Sequence, residues 1–215
     1  MNIEELIHLY LAEQKSIIEV FPVSDVGKIC ERLIRAYEEG STIYACGNGG
    51  NAAYVSNLLT DLTMHPFVSD DKHKVMPYGS KRLRTVHMVD SGSTLTAILN
   101  DLGPDHIFKQ QLINDGIKAQ DVVFGFSGSG NSKNIVEAFE LAKQYKATTI
   151  GITRGTGGKL KEIADYCVVI PGTSTFPGQI GGNDNNFHYE DYLSSISHVM
   201  TGIMQKYVRE KYNFN

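Results

Sequence analysis

The stretch from Asp121 to Asn134, DVVFGFSGSGNSKN, constrains this chain more than any other. Val122, Val123, Phe124, Gly125 and Phe126 make a short apolar run of strand length, and Ser127-Gly128-Ser129-Gly130-Asn131-Ser132 then opens a helical pattern. A strand that ends in small residues and feeds a helix leaves backbone N–H groups and the positive end of a helix dipole facing one point. The hydroxyls of Ser127, Ser129 and Ser132 add donors to the same place. So many converging donors favour phosphate over carboxylate, and the stretch is expected to cradle a phosphate.

The rest of the chain alternates in a way that suits such a cradle. Mixed spacings of three and four among Ile3, Leu6, Ile7, Leu9, Tyr10 and Leu11 predict a helix ending before Pro22. Ser24 is expected to cap a second helix, carrying Val26, Ile29, Cys30, Leu33, Ile34 and Tyr37 and stopped by Gly40. Together residues 1–40 read as a helical extension ahead of the first strand, Thr42 to Cys46. Gly47-Asn48-Gly49-Gly50 leads from it into a helix running through Met64. Further strands are expected at Thr85–Val89, Val122–Phe126, Thr148–Thr153 and Tyr166–Ile170, with a final helix from about Asn186 to Tyr212. Residues 66–83 and 171–186 read as long loops. Strands alternating with helices imply an α/β fold with a mostly parallel sheet covered on both faces, whose ligands bind at the carboxyl ends of the strands. Small-residue turns fall at three of those ends: 47–50, 91–93 and 127–132.

Length and composition fit one soluble domain. A chain of 215 residues buries a full core without disulfides. The formal charge of −4 and the lack of a long Lys/Arg run exclude an electrostatic nucleic-acid footprint. No apolar stretch of about 18 residues is present to span a membrane, and the acidic, amphipathic start MNIEELIHLYLAEQ is unlike a secretory signal. A cytoplasmic location is the resulting expectation. Cys30, Cys46 and Cys167 lie far apart in apolar segments and read as reduced core residues.

Neither a dinucleotide fingerprint nor a P-loop is present, because GNGGNA has the wrong spacing and no Gly-Lys-Ser/Thr follows it. In the helix after that turn, Val55, Leu58, Leu59 and Leu62 form the core stripe, and Asn57, Asp61 and His65 line up on the opposite face. That face is either a solvated surface or, with Asp61 one turn from His65, a set with metal-ligand spacing. In the last helix, Tyr189, Leu193, Ile196, Met200, Ile203 and Tyr207 read as an apolar seam, and His198 points away from it among Ser194, Ser195, Thr201 and Gly202. Small residues on a helix back favour close approach of another element, with a partner subunit as the natural candidate. Glu190, two turns before His198, offers a carboxylate to pair with the imidazole for acid/base work.

GNGGNA at 47–52, NDLGPDHIF at 100–108, FSGSGNSKN at 126–134, GITRGTGGKL at 151–160 and HYEDYLSSISH at 188–198 together resemble the sugar isomerase (SIS) domain. Within it the chain looks most like the phosphoheptose isomerases, along nearly its whole length. The resemblance implies a three-layer α-β-α fold with a five-stranded parallel sheet, two leading helices and a long C-terminal helix. It also implies a homotetramer with active sites at subunit interfaces, acting on a phosphorylated sugar. In that family a glutamate and a last-helix histidine transfer protons and, with another histidine and a glutamine, hold a metal, often zinc. Those positions fall here on Asp61, His198, Asn57 and Glu190, so two of them have become oxygen donors and the carboxylate is one methylene shorter. The implied site is then Asp61 and His198 as catalytic pair, with Asn57, Asp61, Glu190 and His198 around a divalent metal. Ser127, Gly128, Ser129 and Ser132, with amides near Gly49 and Gly50, would hold the phosphate, and Asn51, Asp101 and Glu190 would bind the sugar. His65, Asp70, Asp71 and His73 are candidate replacement ligands from the first long loop. The implied reaction is aldose–ketose isomerisation. A non-catalytic binding protein, such as a replication-initiator-associated tetramer, or a phosphosugar sensor is the alternative.

Overall fold

The computed structural model describes residues 2–179 and 185–214. Five parallel strands, β1 (Thr42–Gly47), β2 (Arg84–His87), β3 (Val122–Phe126), β4 (Thr148–Arg154) and β5 (Tyr166–Ile170), form one sheet in the order β2-β1-β3-β4-β5. Ile43 pairs with Thr85 on one side and Val122 on the other, so β1 and β3 are central neighbours. The chain leaves β1 in one direction to reach β2 and then crosses back to β3. A crevice opens at such a reversal beyond the carboxyl ends of the two strands, and α/β sheets place ligands there.

Strand alternation splits the core into two layers. Ile43, Ala45, Val122, Phe124 and Phe126 pack against helices α1 (Ile3–Glu19), α2 (Val23–Glu39), α3 (Gly50–Met64) and α8 (Asn186–Tyr212). Tyr44, Cys46 and Val123 face the other way, against α5 (Ile107–Asp115), α6 (Lys133–Gln144) and α7 (Gly158–Ile163). A further helix, α4 (Gly92–Asp101), follows β2. At Gly125 the second layer comes so close that a Cβ would lie 2.6 Å from both Ile135 and Phe139, and only glycine lets α6 sit down on β3.

The helices depart from expectation in instructive places. Pro22, not Ser24, precedes the first turn of α2, and Ser24 lies inside the helix because the fixed φ of proline already suits a helix start. Gly40 ends α2 in the left-handed region, as its position suggested. The α8 seam runs through Tyr189, Leu193, Ile196, Met200, Met204 and Val208, all buried, while Ile203 is 38% exposed. A straight helix drifts away from a strict four-three repeat, which moves burial from Ile203 to Met204. Loop 66–83 begins with a short 3₁₀ turn, His65–Phe67, and is pinned by a Val68–Val75 bridge. Of the expected second loop, residues 180–184 lie outside the described residues. The three cysteines are free; Cys30 and Cys46 are buried, whereas Cys167 is only partly so. Among the described residues no helix is long and apolar enough to cross a membrane.

Candidate active site

The β3–α6 turn and the β1–α3 turn meet at the crevice. The side-chain amides of Asn48 and Asn134 join them by two reciprocal hydrogen bonds of 3.0 Å. Ser127 is buried at the end of β3, and its hydroxyl lies 2.8 Å from that of Ser132. Ser132 stands at the start of α6 without capping it, so its hydroxyl is engaged with that of Ser127 instead of closing the helix. Gly130 bends the turn back with φ +67°, and a Cβ there would lie 1.9 Å from the Gly157 carbonyl. Ser129 is exposed, and its hydroxyl accepts from the Asn131 amide, so it shapes the loop. The cradle's geometry therefore rests on Ser127, Gly128, Gly130 and Ser132, with α6 supplying the helix dipole.

A cation at the cradle was not anticipated from the sequence. Arg154 closes β4 with 5% exposure; its Nη1 donates to Asn185 Oδ1 at 3.3 Å, and its Nε lies 3.3 Å from where a Gly128 Cβ would be. A charge ending the otherwise uncharged strand TTIGITR was the one local hint, and it does not say which turn lies beside it. Tyr189, fully buried on α8, places its hydroxyl 3.0 Å from both Asn51 Oδ1 and Ile152 O. Asn51 is thereby fixed at the rim. Asp101, at the end of α4, is exposed and accepts from Asn100 at 2.8 Å; among the described residues no hydrogen bond or ion pair ties it to the cradle. The third small-residue turn is spent locally, since the Ser91 hydroxyl caps α4 through Thr94 N at 3.3 Å.

Glu190 stands at the same crevice. Its carboxylate oxygens lie 3.2 Å from the Cβ position of Gly50, and Oε1 accepts from Asn186 Nδ2 at 3.0 Å. Gly49, which precedes α3, has no side chain to cap it, so the carboxylate sits where it complements the dipole of that helix. Its charge raises the pKa of the Tyr54 and Tyr189 phenols, in each case after burial as the larger cause. The α3 end assigned to phosphate through Gly49 and Gly50 is thus faced by a negative group.

Asp61 and His198 form a second cluster on the helical layer. His198 Nε2 is 3.8 Å from Asp61 Oδ2, and His65 Nε2 is 3.4 Å from Oδ1, so the carboxylate lies between two imidazoles. The Asp61 side chain is 17% exposed and that of His198 67%. A cavity of about 450 Å³ borders Asp61 and His65 and reaches Asp70, Lys72, Gln205 and Arg209. The other loop donors do not join the cluster. Asp70 pairs with Arg209, and Asp71 accepts from Ser69 at 2.6 Å and from His73 N at 3.0 Å, which spends both on loop geometry.

The four donors expected around a metal do not fit one ion within a single chain. Glu190 and His198 are eight residues apart on α8, about 12 Å along its axis, and Glu190 faces Gly50 instead of Asp61. Ligand atoms around one ion each lie only about 2 Å from it. Asn57 is exposed, and among the described residues no group of three His, Cys, Asp or Glu is arranged to hold an ion.

The SIS domain profile matches residues 72–154, spanning β2, β3, the cradle and β4. A phosphoheptose isomerase of Aneurinibacillus thermoaerophilus is 31% identical over 150 residues, covering 70% of each chain. One of Aliarcobacter butzleri is 33% identical over 175 residues, covering 79% of this chain and 85% of that one. The chain belongs to the phosphoheptose isomerase family of SIS domain proteins. The solved phosphoheptose isomerase GmhA of Neisseria gonorrhoeae superposes with a TM-score of 0.77 at 26% identity, covering 95% of this chain and all of that one. The SIS architecture therefore extends beyond the profile match to the leading helices and α8.

Proposed function

We propose that this SIS protein is a phosphosugar isomerase that interconverts a ketose phosphate and an aldose phosphate. The substrate pair we favour is sedoheptulose 7-phosphate and D-glycero-D-manno-heptose 7-phosphate. The observation that carries the reading is a carboxylate and an imidazole 3.8 Å apart, Asp61 and His198, in a chain that also presents a phosphate cradle. Asp61 takes the proton from the carbon next to the carbonyl, the electron pair moves to form the enediol, and His198 carries a proton between the two oxygens. Returning the proton to the neighbouring carbon completes the isomerisation. These steps use the two side chains alone, because within one chain the anticipated metal donors do not meet.

The cradle and the pair belong to one site only if two subunits share it. Gly50 and Asp61 are eleven residues apart on α3, about 16 Å along the axis. The six C–C bonds of a heptose, about 1.5 Å each, zigzag over only about 8 Å. A phosphate in the cradle of one chain therefore leaves the sugar short of Asp61 in that chain, which supports a homotetramer with sites between protomers. Exposed apolar residues fit the same reading: Ile3, Ile7, Leu11 and Ile18 on α1, and Val199 and Ile203 beside His198 on α8. Free cysteines and a sugar-phosphate ligand fit a reducing cytoplasm.

The test is direct. Incubating the purified protein with sedoheptulose 7-phosphate should yield the aldose phosphate, and His198→Ala should stop turnover while sugar-phosphate binding survives. Unchanged turnover in that variant would remove His198 from the mechanism.

A further inference from the structure

Glu190 is a negative group beside a phosphate cradle, and its geometry points to a role beyond helix capping. Its carboxylate is held by Asn186 at 3.0 Å, while Asn186 Oδ1 lies 3.0 Å from the Cβ position of Gly128 in the cradle turn. Gly128, Asn186, Glu190 and Gly50 thus form one continuous wall between the two turns. An anion set against the α3 end would meet Glu190 at close range, and like charges repel strongly at that distance in a partly desolvated crevice. A carboxylate also accepts at about four lone-pair positions, and Asn186 uses one. The remaining positions suit hydroxyl donors.

We propose that Glu190 is a specificity-determining residue of the crevice: it confines the phosphate to the β3–α6 turn, accepts hydroxyls from the carbons next to it, and excludes a second anionic group from the α3 end. The ligand class selected is a phosphate monoester of a polyol, in preference to a diphosphate. The α6 dipole serves the one phosphate, Arg154 stands beside the same turn, and Glu190 marks where negative charge must stop.

This inference rests on the phosphosugar reading above, and binding separates the two. Calorimetric titration of the full chain with sedoheptulose 7-phosphate and with pyrophosphate gives an affinity ratio for wild type, for Glu190→Gln and for Glu190→Asp. Removing the charge in Glu190→Gln should tighten pyrophosphate and lower the ratio by about tenfold or more. Glu190→Asp, which keeps the charge, should retain most of the preference. An equal ratio in wild type and Glu190→Gln overturns the inference. If wild type binds no sugar phosphate, the cradle and this inference fall together. A sugar phosphate that binds with the expected preference but is not isomerised sinks the enzymatic reading and leaves this one standing.

Discussion

The crevice at the carboxyl ends of β1 and β3 and the Asp61–His198 cluster on α3 and α8 differ in how the fold builds them. The crevice is closed from within one chain: Ser127 is buried, Arg154 lies under the turn, and Asn48 and Asn134 tie the two loops. The cluster lies open on the helical layer, with His198 two-thirds exposed and apolar residues around it. In the proposed reading a single chain thus finishes its binding half and leaves its chemical half uncovered. Holding an anion needs only backbone, hydroxyls and one cation fixed by strand ends. Proton transfer at an exposed pair is proposed to take a partner surface that positions the substrate and excludes water.

The largest effects should separate these halves. Asp61→Asn and His198→Ala are each expected to lower kcat by about 100- to 10,000-fold, the usual worth of an acid/base group, with KM little changed. A drop in KM affinity with kcat intact would move the pair out of the chemistry and into binding. The double variant Ser127→Ala, Ser132→Ala should act the opposite way, raising KM by roughly tenfold or more through loss of two hydroxyls from the phosphate, with kcat at saturation kept within a few-fold. Similar KM for variant and wild type would break the cradle half of the comparison.

The crevice half was far more legible from the sequence than the pair. Apolar runs ending in Gly and Ser predicted β1 and β3, and helix-start chemistry predicted the small-residue turn from β3 into α6. The α3 stripe at Val55, Leu58, Leu59 and Leu62 is buried as its spacing implied. Arg154 was missed because nothing local shows that β4 ends beside the β3 turn. Only the sheet order reveals it. Glu190 was placed in a metal set by resemblance, whereas the parallel run of α3 beside α8 sets it against Gly50. His65 was read at the right spacing, and the structure adds that His198 meets the same carboxylate from the other side.

Smaller effects test the scaffold beneath each half. Gly125→Ala should lower stability by about 1–3 kcal/mol, read as a lower Tm, because its methyl group would overlap Ile135 and Phe139 under the cradle. An unchanged Tm would mean that α6 is free to lift from β3. On the α8 side, Glu13 joins α1 to the buried His188 at 2.9 Å and to Ser174 and Thr175. Burial disfavours its charge, but hydrogen bonds from Ser174, His188 and Thr175 outweigh that and lower its pKa from 4.5. A depressed carboxyl stabilises the fold above its ordinary value and ceases to as pH falls through the folded one. Unfolding followed by calorimetry should therefore show a Tm decline below about pH 4.5 that Glu13→Gln reduces. An identical acid slope in both proteins would contradict that assignment.

Mixing a variant without the chemical pair and a variant with a weakened cradle tests the central claim, that one site draws its cradle from one chain and its Asp61–His198 pair from another. Asp61→Asn and the Ser127→Ala, Ser132→Ala variant would be unfolded together, refolded into mixed assemblies and assayed with low sedoheptulose 7-phosphate. A shared site predicts that sites pairing an intact cradle with an intact Asp61 appear in the mixture, so that turnover at low substrate exceeds the summed turnover of the two variants refolded alone. Mixed assemblies, verified by mass, that turn over no faster than the sum of their parents would place the whole site within one chain and contradict the account.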